Sequence, residues 1–323
     1  MTKNRITIFL ILLILVAFPL FVEDPFILNI LITTGIWATA VWGVRLIMST
    51  GQLTLGHAAY MAIGAYASSL LVMKAGLSFW LALPLSGLIA ALVALLIGYP
   101  TLRIKGVYFA ITSFAFAEII RLIIMIWPGF LGGSGGIPGV PSPSPIFSIS
   151  FTGRVPFYYL ILFISAVTYL VMVGIERSRI GKVFSAIHEG DDLAQSIGIN
   201  IMKYKVIAFC LGCFFAGVSG SFYAHYFNFA SPEFFTIWQS VYCLLFVIVG
   251  GAGSVYGPPL GSFFMTLVPE FLRGTKEYEP VVYAVILILV MFLLPGGLIT
   301  LPDRLRRKKG YKKVDTKAIE SGT

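Results

Sequence analysis

An all-α polytopic bundle that crosses a membrane about ten times, with both chain ends in the cytoplasm, is predicted by three features of the sequence. The composition is 58% hydrophobic and only 11% charged, with a mean hydropathy of +0.92, whereas soluble domains average about 25% charged residues. Apolar runs near the length that spans a hydrocarbon core of about 30 Å recur along the whole chain. Lysine and arginine fall almost entirely in alternate connections, which fixes an orientation by the positive-inside rule. With 323 residues, the chain has room for these spans and short connections but not for a large extramembrane domain.

Taken in order, the runs are Ile6 to Val22, Phe26 to Val44, Leu53 to Met73, Phe79 to Gly98, Val107 to Trp127, Val155 to Ile175, Val206 to Phe227, Ile237 to Gly250, Pro259 to Leu272 and Val281 to Leu294. The eighth and ninth are short. An N-terminus inside gives the inner connections and tails Lys3, Arg5, Arg45, Arg103, Lys105, Arg177, Arg179, Lys182, Lys203, Lys205 and the basic residues from Arg304 to Lys317. The outer side keeps Lys74, Arg154, Arg273 and Lys276. The net charge of +9 is thereby explained by membrane topology and anionic lipid, without nucleic acid.

Lys3 and Arg5 ahead of an apolar run imitate a signal peptide, but Phe21-Val-Glu-Asp-Pro25 offers no small-residue cleavage site, so this reads as an uncleaved first helix. Residues 1–302 form the membrane domain, and the Lys-rich segment 303–323 is a solvated tail. Cys210 and Cys213 have CxxC spacing, but no second pair completes a zinc site, and both fall within a span, as does Cys243. They read as small buried residues. No metal ligand set and no nucleophile with a base at workable spacing is evident, so neither a metal nor a catalytic residue is assigned.

The connection from Arg177 to Lys205 is long for a bundle loop and lies on the cytoplasmic side. Val183, Phe184 and Ile187 share a helical face; Glu189-Gly-Asp-Asp192 gives a break and an acidic helix start. Leu193, Ala194 and Ile197 then recur at helical spacing, and Gly198 can end the turn. Two short helices joined at Gly190 would present a small apolar patch rimmed by charge, a form suited to a groove on a partner protein.

Within the third span, Gly51-Gln-Leu-Thr-Leu-Gly56-His57 and the residues to Tyr66 carry small and polar side chains where leucine would face lipid. Gly51, Gln52, Thr54, Gly56 and His57 should therefore pack inside, either lining a path or letting helices approach closely. Gly250-Gly-Ala-Gly-Ser254, with Gly257, loosely repeats this spacing, which adds Gly251, Gly253 and Ser254 as path candidates and predicts a bent or re-entrant segment. Glu118 and Arg121 stand three residues apart on one face of the fifth span and can pair there. Charges at that depth are expensive, so both are expected to face the bundle interior, as a structural pair or as part of a gate. Leu131 to Pro145 is a Gly-rich, then Pro-rich, outer loop. No GxxxxGK[ST] phosphate loop occurs in the chain, so any ATP dependence rests with another subunit.

The runs Gly51 to Tyr60, Tyr108-Phe-Ala-Ile-Thr with Phe116-Ala-Glu-Ile-Ile-Arg121, Gly132 to Ile137, Ala186 to Ala194 with Gly198-Ile-Asn200, and Gly250 to Ser254 with Gly257-Pro-Pro-Leu-Gly261 together resemble the M-type permease of bacterial branched-chain amino-acid ABC importers. They cover residues 51 to about 300 in family order. The resemblance implies a bacterial inner-membrane subunit that pairs with a homologous H-type permease, docks two cytoplasmic ATPases that use ATP, and receives Leu, Ile or Val from a soluble extracytoplasmic binding protein. It places Ala186, Glu189, Gly190, Asp191, Asp192, Leu193, Ala194 and Gly198 in the ATPase-coupling region. His188, Gly190 and Asp191 depart from the residues usual there. Urea and short-chain amide permeases are the nearest relatives in the same wider family. From a different class, an ion-driven carrier would use Glu118, Arg121 and His57 as a relay but would need no dock for an ATPase.

Overall fold

The computed structural model describes residues 14–19, 24–104, 106–145, 150–271, 278–294 and 296–301. Much of the predicted first span, the tail 303–323 and Arg273 and Lys276 lie outside these residues. Residues 14–19 are helical. The helices that follow are α1 (Pro25–Met48), α2 (His57–Met73), α3 (Phe79–Thr101), α4 (Val107–Ile126), the single turn α5 (Pro128–Leu131) and α6 (Arg154–Arg177). Then come α7 (Arg179–Glu189), α8 (Asp191–Ser196), α9 (Ile201–Phe227), α10 (Ile237–Gly250), α11 (Gly257–Phe271) and α12 (Glu279–Leu293). Among the described residues, α1, α3, α4, α6 and α9 are long and apolar enough to cross a membrane; α2, α10 and part of α12 are shorter apolar helices.

The longest helix, α9, is the axis of the bundle and packs on α1, α2 and α3. Its small residues make this possible. A methyl group on Gly220 would strike the carbonyl of Met61, one on Gly64 the backbone of Gly217, and one on Gly43 the carbonyl of Gly212. Such backbone contact is how helices associate where lipid removes the hydrophobic drive. Aromatic rings fill the surrounding space: Tyr60 lies edge-on to Phe209 at 5.6 Å and tilts on Phe116 at 5.4 Å, and Phe109 meets Phe209 at 5.9 Å. Cys213 and Cys243 are buried free thiols and Cys210 is half-buried.

At the end of the bundle carrying the start of α1 and the end of α9, the Gly/Pro-rich loop is held down. The two-residue strands β1 (Ile137–Pro138) and β2 (Phe229–Ala230) pair antiparallel. His225 Nδ1 donates to Pro141 O (2.7 Å), which leaves Nε2 to accept from Ser68 Oγ (2.8 Å). Asn228, in the left-handed region at φ 54, caps α9 and donates to Val140 O (2.7 Å). His225, isolated in the sequence, is thus a tie between helix and loop.

Candidate coupling and translocation site

The opposite end of the bundle gathers three segments that are far apart in sequence. The first is the α7–α8 pair. Ser178 caps α7 by accepting from Ile180 N and Gly181 N, and Gly190 breaks the chain before the acidic first turn of α8. Phe184, Ile187 and Ala194 are buried against the bundle, whereas Leu193 and Ile197 are 72% and 73% exposed. The apolar patch read from the sequence therefore divides. Its inner part anchors the pair, and its outer part, one helical turn wide, faces away. Glu189, Asp192 and Gly198 are exposed around it, and Ala186 is half-buried.

Two polar links fix this pair to the bundle. Lys205, 4% exposed in the first turns of α9, donates to Asp191 Oδ2 at 2.8 Å, and His188 Nδ1 donates to Met48 O at 3.1 Å. The two glycines differ. Gly198 has φ +83, which favours glycine, with open space around it, while Gly190 is extended at φ 175 and has only Leu193 nearby. Sequence alone did not separate them.

The second segment joins α1 to α2. Gly51 turns at φ +74 beside His188, so this link touches α7 directly. Gln52, Thr54, Gly56 and His57 are buried, as expected, but the expected burial of Gly51 is corrected: it is exposed, because it forms the turn that closes the end of α1. Thr54 Oγ1 accepts from Gly56 N, Ser113 Oγ of α4 from Leu55 N (2.9 Å), and Ser240 Oγ of α10 from Ala58 N (2.9 Å). These bonds satisfy backbone groups that helix starts leave open. His57 Nε2 donates to Ala40 O at 2.9 Å, while His57 Nδ1 and Gln52 Oε1 have no hydrogen-bond partner among the described residues. Ser113 and Ser240 escaped the sequence reading because one hydroxyl in an apolar run does not name its partner.

The third segment joins α10 to α11 and repeats the second in detail. Gly251 has positive φ like Gly51, and Ser254 Oγ accepts from Tyr256 N as Thr54 Oγ1 accepts from Gly56 N. Helices begin at His57 and Gly257 respectively. Gly251 is buried, but Gly253 is exposed with nothing near it, so Gly253 is not part of a packed interior. The link is tied to α1 by Arg45 Nε, which donates to Ala252 O (3.0 Å), and by Trp42 Nε1, which donates to Val255 O (2.8 Å). Arg45 also pairs with Glu176 at the end of α6 (2.9 Å). In the sequence Arg45 registers only as an inside charge; its second role needs the fold.

Glu118 and Arg121 do pair, with Arg121 Nε at 3.1 and 3.0 Å from the two carboxylate oxygens and Nη2 also bonded. Their expected burial in the bundle is corrected. The side chains are 35% and 23% exposed on α4, whose neighbours Ile119 and Leu122 are open as well. α4 sits at the periphery, so within this chain the pair faces outward rather than into the core. Glu118→Ala is expected to lower stability more than the further change Arg121→Ala adds, with a coupling on the order of 0.5–1 kcal/mol in thermal unfolding of the purified chain. Fully additive losses would mean that the pair contributes nothing.

Comparison with known proteins gives a family. Residues 26–294 match the model described as "Branched-chain amino acid transport system / permease component". The chain is 30% identical to the high-affinity branched-chain amino acid transport system permease protein LivM of Salmonella typhimurium, over 96% of this chain and 79% of the relative. It is 26% identical to a probable branched-chain amino acid transport permease protein LivM of Methanocaldococcus jannaschii (68% and 67% covered). It is also 22% identical to the permease protein LivH of Salmonella typhimurium (82% and 89% covered). No solved structure gives a significant match. With a family model covering most of its length and a near full-length relative, this chain belongs to the branched-chain amino acid transport system permease family.

Proposed function

We propose that this chain is the M-type membrane subunit of an ATP-driven importer for aliphatic amino acids of the Leu, Ile and Val class, in a bacterial inner membrane with both termini in the cytoplasm. The observation that carries the reading is the outward apolar face of α8, Leu193 and Ile197, on a polar helical pair at the end of the bundle where Arg45, Arg103, Arg177, Arg179, Lys182 and Lys203 gather. That end is the cytoplasmic one by charge, and a one-turn apolar patch outside the membrane suits a groove on a soluble partner. Similarity to both LivM and LivH supports a pair of related permeases. The half-exposed Glu118–Arg121 pair supports a second permease against α4, because a charged pair is poorly accommodated by lipid.

Two ATPases docked at α8 would supply the energy; this chain breaks no bond. Their closure would move α8, and α9 follows it after four residues, with Asn200 capping α9 and Lys205 holding Asp191. Displacement of α9 acts on α2 and α1 through the glycine contacts, and that of α7 on α1 through His188 and Met48, so the bundle tilts as a body about a path shared with the partner. A soluble binding protein would deliver the amino acid to the pinned Gly/Pro loop at the far end. Purification of the tagged chain from its native membrane in mild detergent is expected to recover a second polytopic permease and ATPases carrying a Walker A motif. A chain that purifies alone and transports by itself on reconstitution would overturn this reading in favour of an ion-driven carrier.

A further inference from the structure

Between α1, α10, α11 and α12 lies a cavity of about 250 Å³, nearer the end that carries the Gly/Pro loop. That space is roomy enough for one small amino acid. Residues at i, i+4 and i+8 of α1 (Asn29, Thr33, Trp37) and at i, i+3 and i+7 of α10 (Gln239, Tyr242, Phe246) supply two facing stripes. In each stripe the amide stands nearest the start of its helix and an aromatic ring ends it. Trp37 and Phe246 meet edge-on at 5.5 Å and, with Met265, close the deep side; Tyr242 and Tyr283 meet at 4.7 Å beside them.

The amides are oriented. Asn29 Oδ1 accepts from Tyr226 OH at 2.7 Å, and Gln239 Oε1 accepts from Thr236 Oγ1 at 2.8 Å. With each oxygen already accepting one hydrogen bond, the amide N–H groups are the donors these two side chains can turn to a ligand. Among the described residues no acidic or basic side chain lines the cavity, so a solute of zero net charge fits and a free ion would find no counter-charge there.

The geometry points to a substrate subsite in this cavity: the carboxylate of a zwitterionic amino acid held by the amide N–H groups of Asn29 and Gln239, its ammonium donating to Thr266 Oγ1, whose own proton goes to Ser262 O, and its aliphatic side chain seated on Trp37, Phe246 and Met265. This rests on the importer reading and adds to it the place in this subunit that senses side-chain size. A hydrophobic seat discriminates by about tenfold or more per methylene-sized change, enough to rank aliphatic amino acids during passage.

The test uses the assembled transporter with its partner subunits in proteoliposomes, with leucine and alanine as competing substrates. Thr33→Phe, which fills the cavity from α1, is expected to lower the leucine-to-alanine ratio of Vmax/KM by about tenfold. Leu92→Phe, on a face of α3 that is open in the chain, should leave the ratio at its original value. If Thr33→Phe does not assemble, Thr33→Leu carries the same comparison. An unchanged ratio in an assembled Thr33 variant, with leucine import intact in the unaltered protein, overturns the subsite and spares the importer reading. Failure of the unaltered transporter to carry either amino acid overturns both.

Discussion

Gly220→Leu is expected to remove nearly all folded protein from the membrane, and Gly64→Leu to do the same. At both positions the space a side chain needs is occupied by backbone, the Met61 carbonyl in one case and Gly217 in the other. Overpacking usually costs about 1–3 kcal/mol when neighbouring side chains can shift. Here whole helices would have to separate, so the loss should exceed that range and take most of a stability on the order of 5–15 kcal/mol. Gly174→Leu on α6 is the control, because nothing lies within 4 Å of a methyl group there. The monodisperse fraction in detergent size-exclusion chromatography measures the effect. Normal yields of Gly220→Leu would contradict the packing of α9 on α2.

Lys205→Met is expected to uncouple the transporter while the membrane bundle stays folded. The ammonium and the Asp191 carboxylate are largely withdrawn from water, and removing one partner of such a pair costs up to about 3–5 kcal/mol because it takes a counter-charge from the other. The damage falls on α8, the six-residue helix that Asp191 begins. ATP-dependent uptake should fall at least tenfold with near-normal amounts of the chain in the membrane. Asp191→Leu combined with Lys205→Met should restore part of the thermal stability, since no charge is then stranded. Equal stability losses in the single and double variants would mean that the pair does not position α8.

Much of this architecture is legible in the sequence because the bilayer imposes a simple rule: apolar runs of fixed length separated by connections of alternating charge. The α7–α8 pair is legible as well. Helical spacing of Val183, Phe184 and Ile187, then of Leu193, Ala194 and Ile197, with a glycine break and an acidic start between them, are local signals, and they fall within a residue or two of the observed helices. What the sequence hides is whatever joins distant segments. Leu193 and Ala194 are adjacent and both apolar, yet one is open and the other closed, because the tilt of α8 on the bundle decides which faces inward. Arg45, Ser113 and Ser240 carry no signature of the carbonyls, amides and carboxylate they serve. The outward placement of Glu118 and Arg121 was missed for a related reason: burial was inferred from the cost of charge in lipid, and that cost is as well met by a partner subunit as by the chain's own core.

The most direct test of α8 as the dock is a photo-crosslinking residue at Leu193 in the intact cell, with one at Leu92 on the open face of α3 as reference. The expected product is a covalent adduct between this chain and a soluble ATPase subunit from Leu193 and none from Leu92. A Leu193 probe that captures only lipid or water, in cells where the transporter is assembled and active, would contradict the assignment of α8 as the element through which ATP drives the path.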